Sequence, residues 1–134
     1  MSARVIVDTS IWIEYFNNPD SREKGEVDSL LEEDCVFLTG IILAELLQGT
    51  RSQQEFDILR SSLSALPFCE TSFNIWVEAG HIASSLRRKG VTLPLSDCTI
   101  AALALENDCA IYTLDSHFAR MEKIRLHEPS ASGP

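Results

Sequence analysis

Residues 4–16 read RVIVDTSIWIEYF (Arg4–Phe16), and the change of period inside that stretch decides the fold class. Arg4–Val7 is a β-branched run that predicts a short strand. Asp8-Thr9-Ser10 then turns the chain into a helix carrying Ile11, Trp12, Tyr15 and Phe16, which Asn17-Asn18-Pro19-Asp20 stops. The same phrase recurs along the chain. A short helix is expected around Val27–Glu33, a strand at Cys35–Thr39 and a helix from Ile41 to Gln48. Phe56, Leu59, Leu63 and Leu66 place one helical face over Gln53–Leu66, with a very short strand at Phe68. The longest helix is expected from Thr71 to Lys89, closed by Gly90, and the next from an N-cap at Ser96 to Asn107. Ala110–Thr113 reads as a strand, Ser116–Met121 as a short helix and Ile124–Leu126 as a last strand. Strands alternating with helices imply a parallel sheet covered on both faces. The expected fold is therefore a three-layer α/β/α domain with a central parallel sheet over residues 1–127. The EPSASGP stretch, Glu128–Pro134, is expected to be a disordered tail.

Composition limits the function classes. At 134 residues one domain is favoured. The chain should bury about two-thirds of its unfolded surface. No run approaches the roughly 18 apolar residues of a membrane span, and MSARVIVDTS does not read as a secretory signal, so a cytoplasmic protein with no membrane association is expected. Twenty acidic against eleven basic residues give a net charge of −9. That balance argues against a simple electrostatic nucleic-acid binder and fits a metal site or a basic partner. Cys35, Cys69, Cys98 and Cys109 form no CxxC pair and read as reduced, space-filling core residues.

Four acids stand at the edges of apolar runs. Asp8 ends the first strand, Glu45 is the only charge in Ile41–Leu47, Asp97 opens the uncharged run Cys98–Leu105, and Asp115 follows Ile111–Leu114. In open parallel sheets ligands bind at the carboxyl ends of strands, where the following helices begin, so all four can converge on one cleft. Taken singly, Asp8, Asp97 and Asp115 also read as helix-start acids, and Glu45 as an outward-pointing charge. Two carboxylates about 5 Å apart repel by roughly 3 kcal/mol at an effective dielectric of 20. Six such pairs exceed a domain's typical stability of about 5–15 kcal/mol. A converged quartet must take up protons, spread apart or bind cations. Oxygen ligands favour Mg²⁺ or Mn²⁺ over Zn²⁺.

The pieces VDTSIWIEYF (Val7–Phe16), LAELLQG (Leu43–Gly49), LPLSDCTIAALAL (Leu93–Leu105) and TLDSHF (Thr113–Phe118) resemble, in order and spacing, the PIN-domain nucleases, and in particular the single-domain VapC-type toxins. The resemblance covers nearly the whole chain. It implies a PIN fold whose acidic quartet binds Mg²⁺ or Mn²⁺ and cleaves RNA, with ion-activated water attacking a backbone phosphorus in line. It maps the quartet onto Asp8, Glu45, Asp97 and Asp115, with Asp8 and Asp97 the most direct ligands. Ser10 and Thr113 match hydroxyl positions that support the metal shell, and read equally as turn and strand-end caps. The resemblance also implies a small cognate antitoxin that obstructs the cleft, and a homodimer. Arg87 and Arg88 are candidate RNA contacts, and read otherwise as ordinary C-terminal helix charges. No catalytic histidine is expected: His81 is mid-helix, His117 reads as a solvated neighbour of Asp115, and His127 lies near the tail.

Three of the competing readings predict something the chain does not show. A receiver-type phospho-acceptor needs paired acids after the first strand and a Lys after the last, and an aspartyl phosphatase needs DxD where Asp8-Thr9-Ser10 stands. A non-catalytic binding module of the same fold predicts loss of an acid, and a housekeeping PIN nuclease differs only in gene context.

Overall fold

The computed structural model describes residues 3–130. Its elements in chain order are β1 (Arg4–Val7), α1 (Thr9–Asn17), α2 (Arg22–Glu32), β2 (Val36–Thr39), α3 (Gly40–Gln48), α4 (Gln53–Leu63), β3 (Phe68–Cys69), α5 (Phe73–Arg88), α6 (Leu95–Glu106) and β4 (Cys109–Tyr112), followed by a 3-10 helix at Ser116–Arg120. The four strands are all parallel, in the order β3-β2-β1-β4, and six α-helices flank them in the expected three-layer arrangement. β1 is central, pairing Val5 with Val36 on one side and Val7 with Tyr112 on the other. Covered by strands at both edges and helices on both faces, Val5, Ile6 and Val7 are almost wholly buried, which is why the run is apolar at every position.

Helix starts follow the sequence chemistry. Ser21, Thr39, Ser52 and Ser72 each accept a hydrogen bond from the backbone N–H three residues on, at 3.1–3.3 Å. Each such cap contributes about 1 kcal/mol. Ser21 starts α2 five residues before the expected Val27, because a polar first turn with a Lys24–Asp28 ion pair at 2.6 Å carries no apolar period to read. Gly90, at φ +82°, closes α5 as expected: its N–H bonds the Arg87 carbonyl and that of Val91 bonds the Leu86 carbonyl. The expected N-cap at Ser96 is corrected to Pro94, whose carbonyl accepts from the N–H groups of Asp97 and Cys98.

α6 lies within the core, with every residue from Cys98 to Ala104 buried, so it shows no amphipathic period. All four cysteines are free and buried, as expected. The expected last strand at Ile124–Leu126 reduces to a single bridge between Ile111 and Leu126. Arg125 there turns outward to pair with Asp108 at 2.8 Å, so the segment lies along β4 without extending the sheet.

The carboxylate of Glu26 on α2 is buried and accepts from His127 Nε2 at 2.6 Å, from the Ser130 N–H at 3.2 Å and from Ser130 Oγ at 3.1 Å. Ser130 falls in the stretch expected to be disordered, yet a buried carboxylate needs donors and the end of the chain supplies them. Residues 131–134 of that stretch lie outside the described residues. Among the described residues no helix is long and apolar enough to cross a membrane.

Candidate metal centre

β1 and β4 end side by side, so Asp8 and Thr113 leave the sheet together, with the Asp8 N–H bonded to the Tyr112 carbonyl at 2.9 Å. Asp8 stands at the N-cap of α1, but its carboxylate makes no cap bond. Instead its Oδ2 accepts from Thr113 Oγ1 at 2.7 Å and from Ser10 Oγ at 3.1 Å. Both hydroxyls are themselves fixed: Thr113 Oγ1 accepts from the Asp115 N–H at 2.9 Å and Ser10 Oγ from the Leu114 N–H at 3.0 Å. Two donors thus orient one oxygen of a carboxylate that is only 6% exposed. The other oxygen makes no hydrogen bond among the described residues.

Asp97 lies in the first turn of α6, and Asp115 caps the 3-10 helix by accepting the His117 N–H at 2.9 Å. Between them sits His117, its Nδ1 2.6 Å from Asp97 Oδ2 and 3.2 Å from Asp115 Oδ1. Burial pushes the Asp97 carboxyl up; the His117 hydrogen bond opposes this, but the charges of Asp115 and Asp8 reinforce it. Asp97, Asp115 and His117 each place one ligand atom within 4.8 Å of the others. Two ligands about 2.1 Å from one ion lie at most about 4.2 Å apart, so a small closure brings this trio onto a single cation. The donors are two carboxylates and one imidazole nitrogen, a set able to hold a divalent cation.

Glu45, the fourth predicted acid, is exposed on α3 and does not belong to that trio. It is tied to the site through Thr9, whose Oγ1 donates to Glu45 Oε1 at 2.7 Å. Thr9 and Glu45 mark one end of a cavity of about 540 Å³ that continues over Ile13, Phe16, Leu46 and Ile58. Arg87 and Arg88 are exposed in the last turn of α5, at the same end of the α5–α6 hairpin as Asp97, and bond none of the acids.

Two histidine expectations are corrected. His117 is half-buried between two acids, because Phe118 beside it is wholly buried and pins the 3-10 helix down. The signal for it was there: a ring two residues beyond a helix-capping acid is within reach of that acid. His127, expected to lie idle near the tail, holds Glu26 and packs edge-on against Tyr112 at 5.1 Å. Thr9 was missed for want of any local signal, since its partner is 36 residues away.

Comparison with known proteins bears on the family and the fold. The family model described as PIN domain matches residues 5–124. Ribonuclease VapC11 of Mycobacterium tuberculosis is 31% identical over 124 residues, covering 90% of this chain and 92% of the relative. VapC ribonuclease Mb1587 of Mycobacterium bovis matches to the same extent. Among solved structures, DNA-bound VapBC from Salmonella typhimurium superposes with a TM-score of 0.78 at 21% identity, covering 94% of this chain and 98% of that one. VapBC-1 from nontypeable Haemophilus influenzae gives 0.78 at 22% identity, over 92% and 96% of the two chains. A parallel four-stranded sheet with carboxylates gathered at its carboxyl edge, a family match over nearly the whole chain and relatives above 30% identity lead to one assignment: the chain belongs to the PIN-domain family, in its VapC branch.

Proposed function

We propose that the protein is a divalent-metal-dependent endoribonuclease acting as the toxin of a toxin–antitoxin pair. The observation that carries this reading is the use of its acids. Asp8 and Asp97 stand at helix starts, yet neither carboxylate makes a cap bond: Asp97 lies with Asp115 and His117, and Asp8 is held by Ser10 and by the Thr113 hydroxyl that also bonds the Asp115 N–H. The relatives' description as ribonucleases supplies the reaction class.

Asp8 and Asp97 would be the most direct ligands of Mg²⁺ or Mn²⁺, with Glu45 and Asp115 completing the site directly or through water and His117 either a ligand or the group that orients Asp97. When bound, the ion supplies Lewis-acid polarisation of the phosphoryl oxygens and lowers the pKa of water. The chain's own part is positional. Ser10 and Thr113 fix Asp8, the Asp115 N–H fixes Thr113, and the buried Phe118 holds the 3-10 helix in place. Hydrolysis adds one water across the P–O bond, leaving a phosphate end on one fragment and a hydroxyl on the other.

The apolar cavity beside Glu45, floored by Ile13, Phe16 and Ile58, suits an amphipathic antitoxin segment ending in a basic side chain at the acids. Exposed Phe73, Trp76 and Val77 on α5 offer a face for a homodimer partner. The enzyme is read as a cytoplasmic domain over residues 1–127, with Ser130 of the following stretch fastened to it through Glu26.

The test is incubation of purified, antitoxin-free protein with total bacterial RNA in Mg²⁺, Mn²⁺ or chelator, beside Asp8→Asn and Asp97→Asn. Discrete metal-dependent cuts that both substitutions abolish are expected. RNA left intact by a folded, metal-loaded protein would reduce it to a binding module of the same fold.

A further inference from the structure

Three of the eleven basic residues, Lys89, Arg120 and Lys123, come from two segments that the tertiary fold brings to one groove. Lys89, Arg120 and Lys123 rim a groove of about 540 Å³ between α5 and the chain following the 3-10 helix, with His81 also on its wall. Its floor is aliphatic, formed by Ile82, Leu86, Val91, Leu105, Met121 and Ile124. Only two acids, Glu78 and Glu122, line it, in a protein of net charge −9. The Lys89–Glu122 pair is 3.3 Å apart with both side chains well exposed, so it holds Lys89 only weakly. Two short stretches of chain link the rim of the groove to the acidic cluster. Arg120 follows His117 by three residues on one 3-10 helix, a backbone step of about 6 Å at roughly 2 Å per residue. On the other side, the tight turn after Lys89 leads to Asp97.

We propose that this groove is the track for single-stranded RNA flanking the cut, with Lys89, Arg120 and Lys123 pairing its phosphates and the aliphatic floor receiving its unstacked bases. The proposal rests on the nuclease reading and extends it to how the substrate is held. Cations beside an apolar floor match the two faces of a single strand, anionic backbone and exposed base. A duplex hides its bases and leaves the floor unused. The groove also resolves the electrostatic objection to an acidic RNA enzyme: phosphate attraction need only be local, and net charge says little about a single face.

The test compares Arg120→Gln/Lys123→Gln with the control Arg51→Gln/Arg60→Gln, an equal charge change on exposed residues of the α4 region. Binding of a fluorescein-labelled random oligoribonucleotide pool is titrated in chelator over a range of KCl, and KM and kcat are then measured with Mn²⁺. Loss of two phosphate contacts should lower the slope of log K against log salt by about 1.4. KM should rise on the order of tenfold with kcat within about twofold, while the control pair matches wild type. Unchanged slope and KM in the groove variants, with wild type cutting RNA, overturn the groove and leave the nuclease reading intact. A wild type that binds RNA through the groove but cuts none does the reverse. Unchanged RNA binding with an altered mass by light scattering overturns the proposal and assigns the groove to a second copy of the chain.

Discussion

Asp97→Asn should stabilise the metal-free protein while abolishing its proposed activity. Asp97 and Asp115 offer oxygens within 4.8 Å of one another, and Asp8 adds a third charge. At that distance two unit charges repel by about 3.5 kcal/mol at an effective dielectric of 20. The Asp115 side chain is 34% exposed, so solvent screening reduces the usable figure to about 1–2 kcal/mol. Because the folded carboxyl is raised, its favourable contribution is complete below the unfolded pKa and disappears as pH rises through the folded value. Ionised Asp97 therefore costs stability at neutral pH. Asparagine keeps the volume and a hydrogen bond to His117 while removing the charge. Thermal unfolding in chelator at pH 7 should show the variant melting about 4–8 °C above wild type, a gap that closes in acid. With Mg²⁺ or Mn²⁺ at tenfold excess over its Kd, wild type gains about 1.4 kcal/mol and the variant far less. A variant that melts below wild type in chelator, or gains as much from the metal, would refute the argument that burial and repulsion at Asp97 outweigh its hydrogen bond from His117.

Two further substitutions probe the supporting structure. Thr113→Val removes the hydroxyl that bonds Asp8 and the Asp115 N–H, and should lower kcat/KM by about 10–100-fold with the fold intact. Activity within twofold of wild type across a metal titration would remove Thr113 from the site's support. Glu26→Gln addresses the C-terminal fastening. Burial pushes the Glu26 carboxyl up, but hydrogen bonds from His127 and Ser130 outweigh it and hold the group below its ordinary range. That stabilisation is present above the ordinary glutamate range and is lost as pH falls through the lower folded value. The variant should lose about 1–3 kcal/mol in urea unfolding at neutral pH and show a flatter acid limb. A wild-type acid limb in the variant would place the pH dependence elsewhere.

Local chemistry was enough for much of the architecture. A β-branched run before a polar turn specified β1, the starts of α3 to α5 fell within two residues of expectation while that of α2 did not, and Gly90 specified the end of α5. The parallel sheet followed from strand–helix alternation, and the positions of the acids followed from their place at the ends of apolar runs. These features depend on neighbours within one or two turns of chain, so the sequence by itself determined them. Tertiary structure decided what depends on distant partners. It set β1 between β2 and β4, which brings Asp8 beside Thr113 across 105 residues. It drew His117 to Asp97 and His127 to Glu26, left Glu45 outside the tightest cluster, and reduced the expected last strand to one bridge. No local period or propensity encodes such contacts. They form because buried charges and strand edges must find donors, and folding of the whole chain decides which donors are within reach.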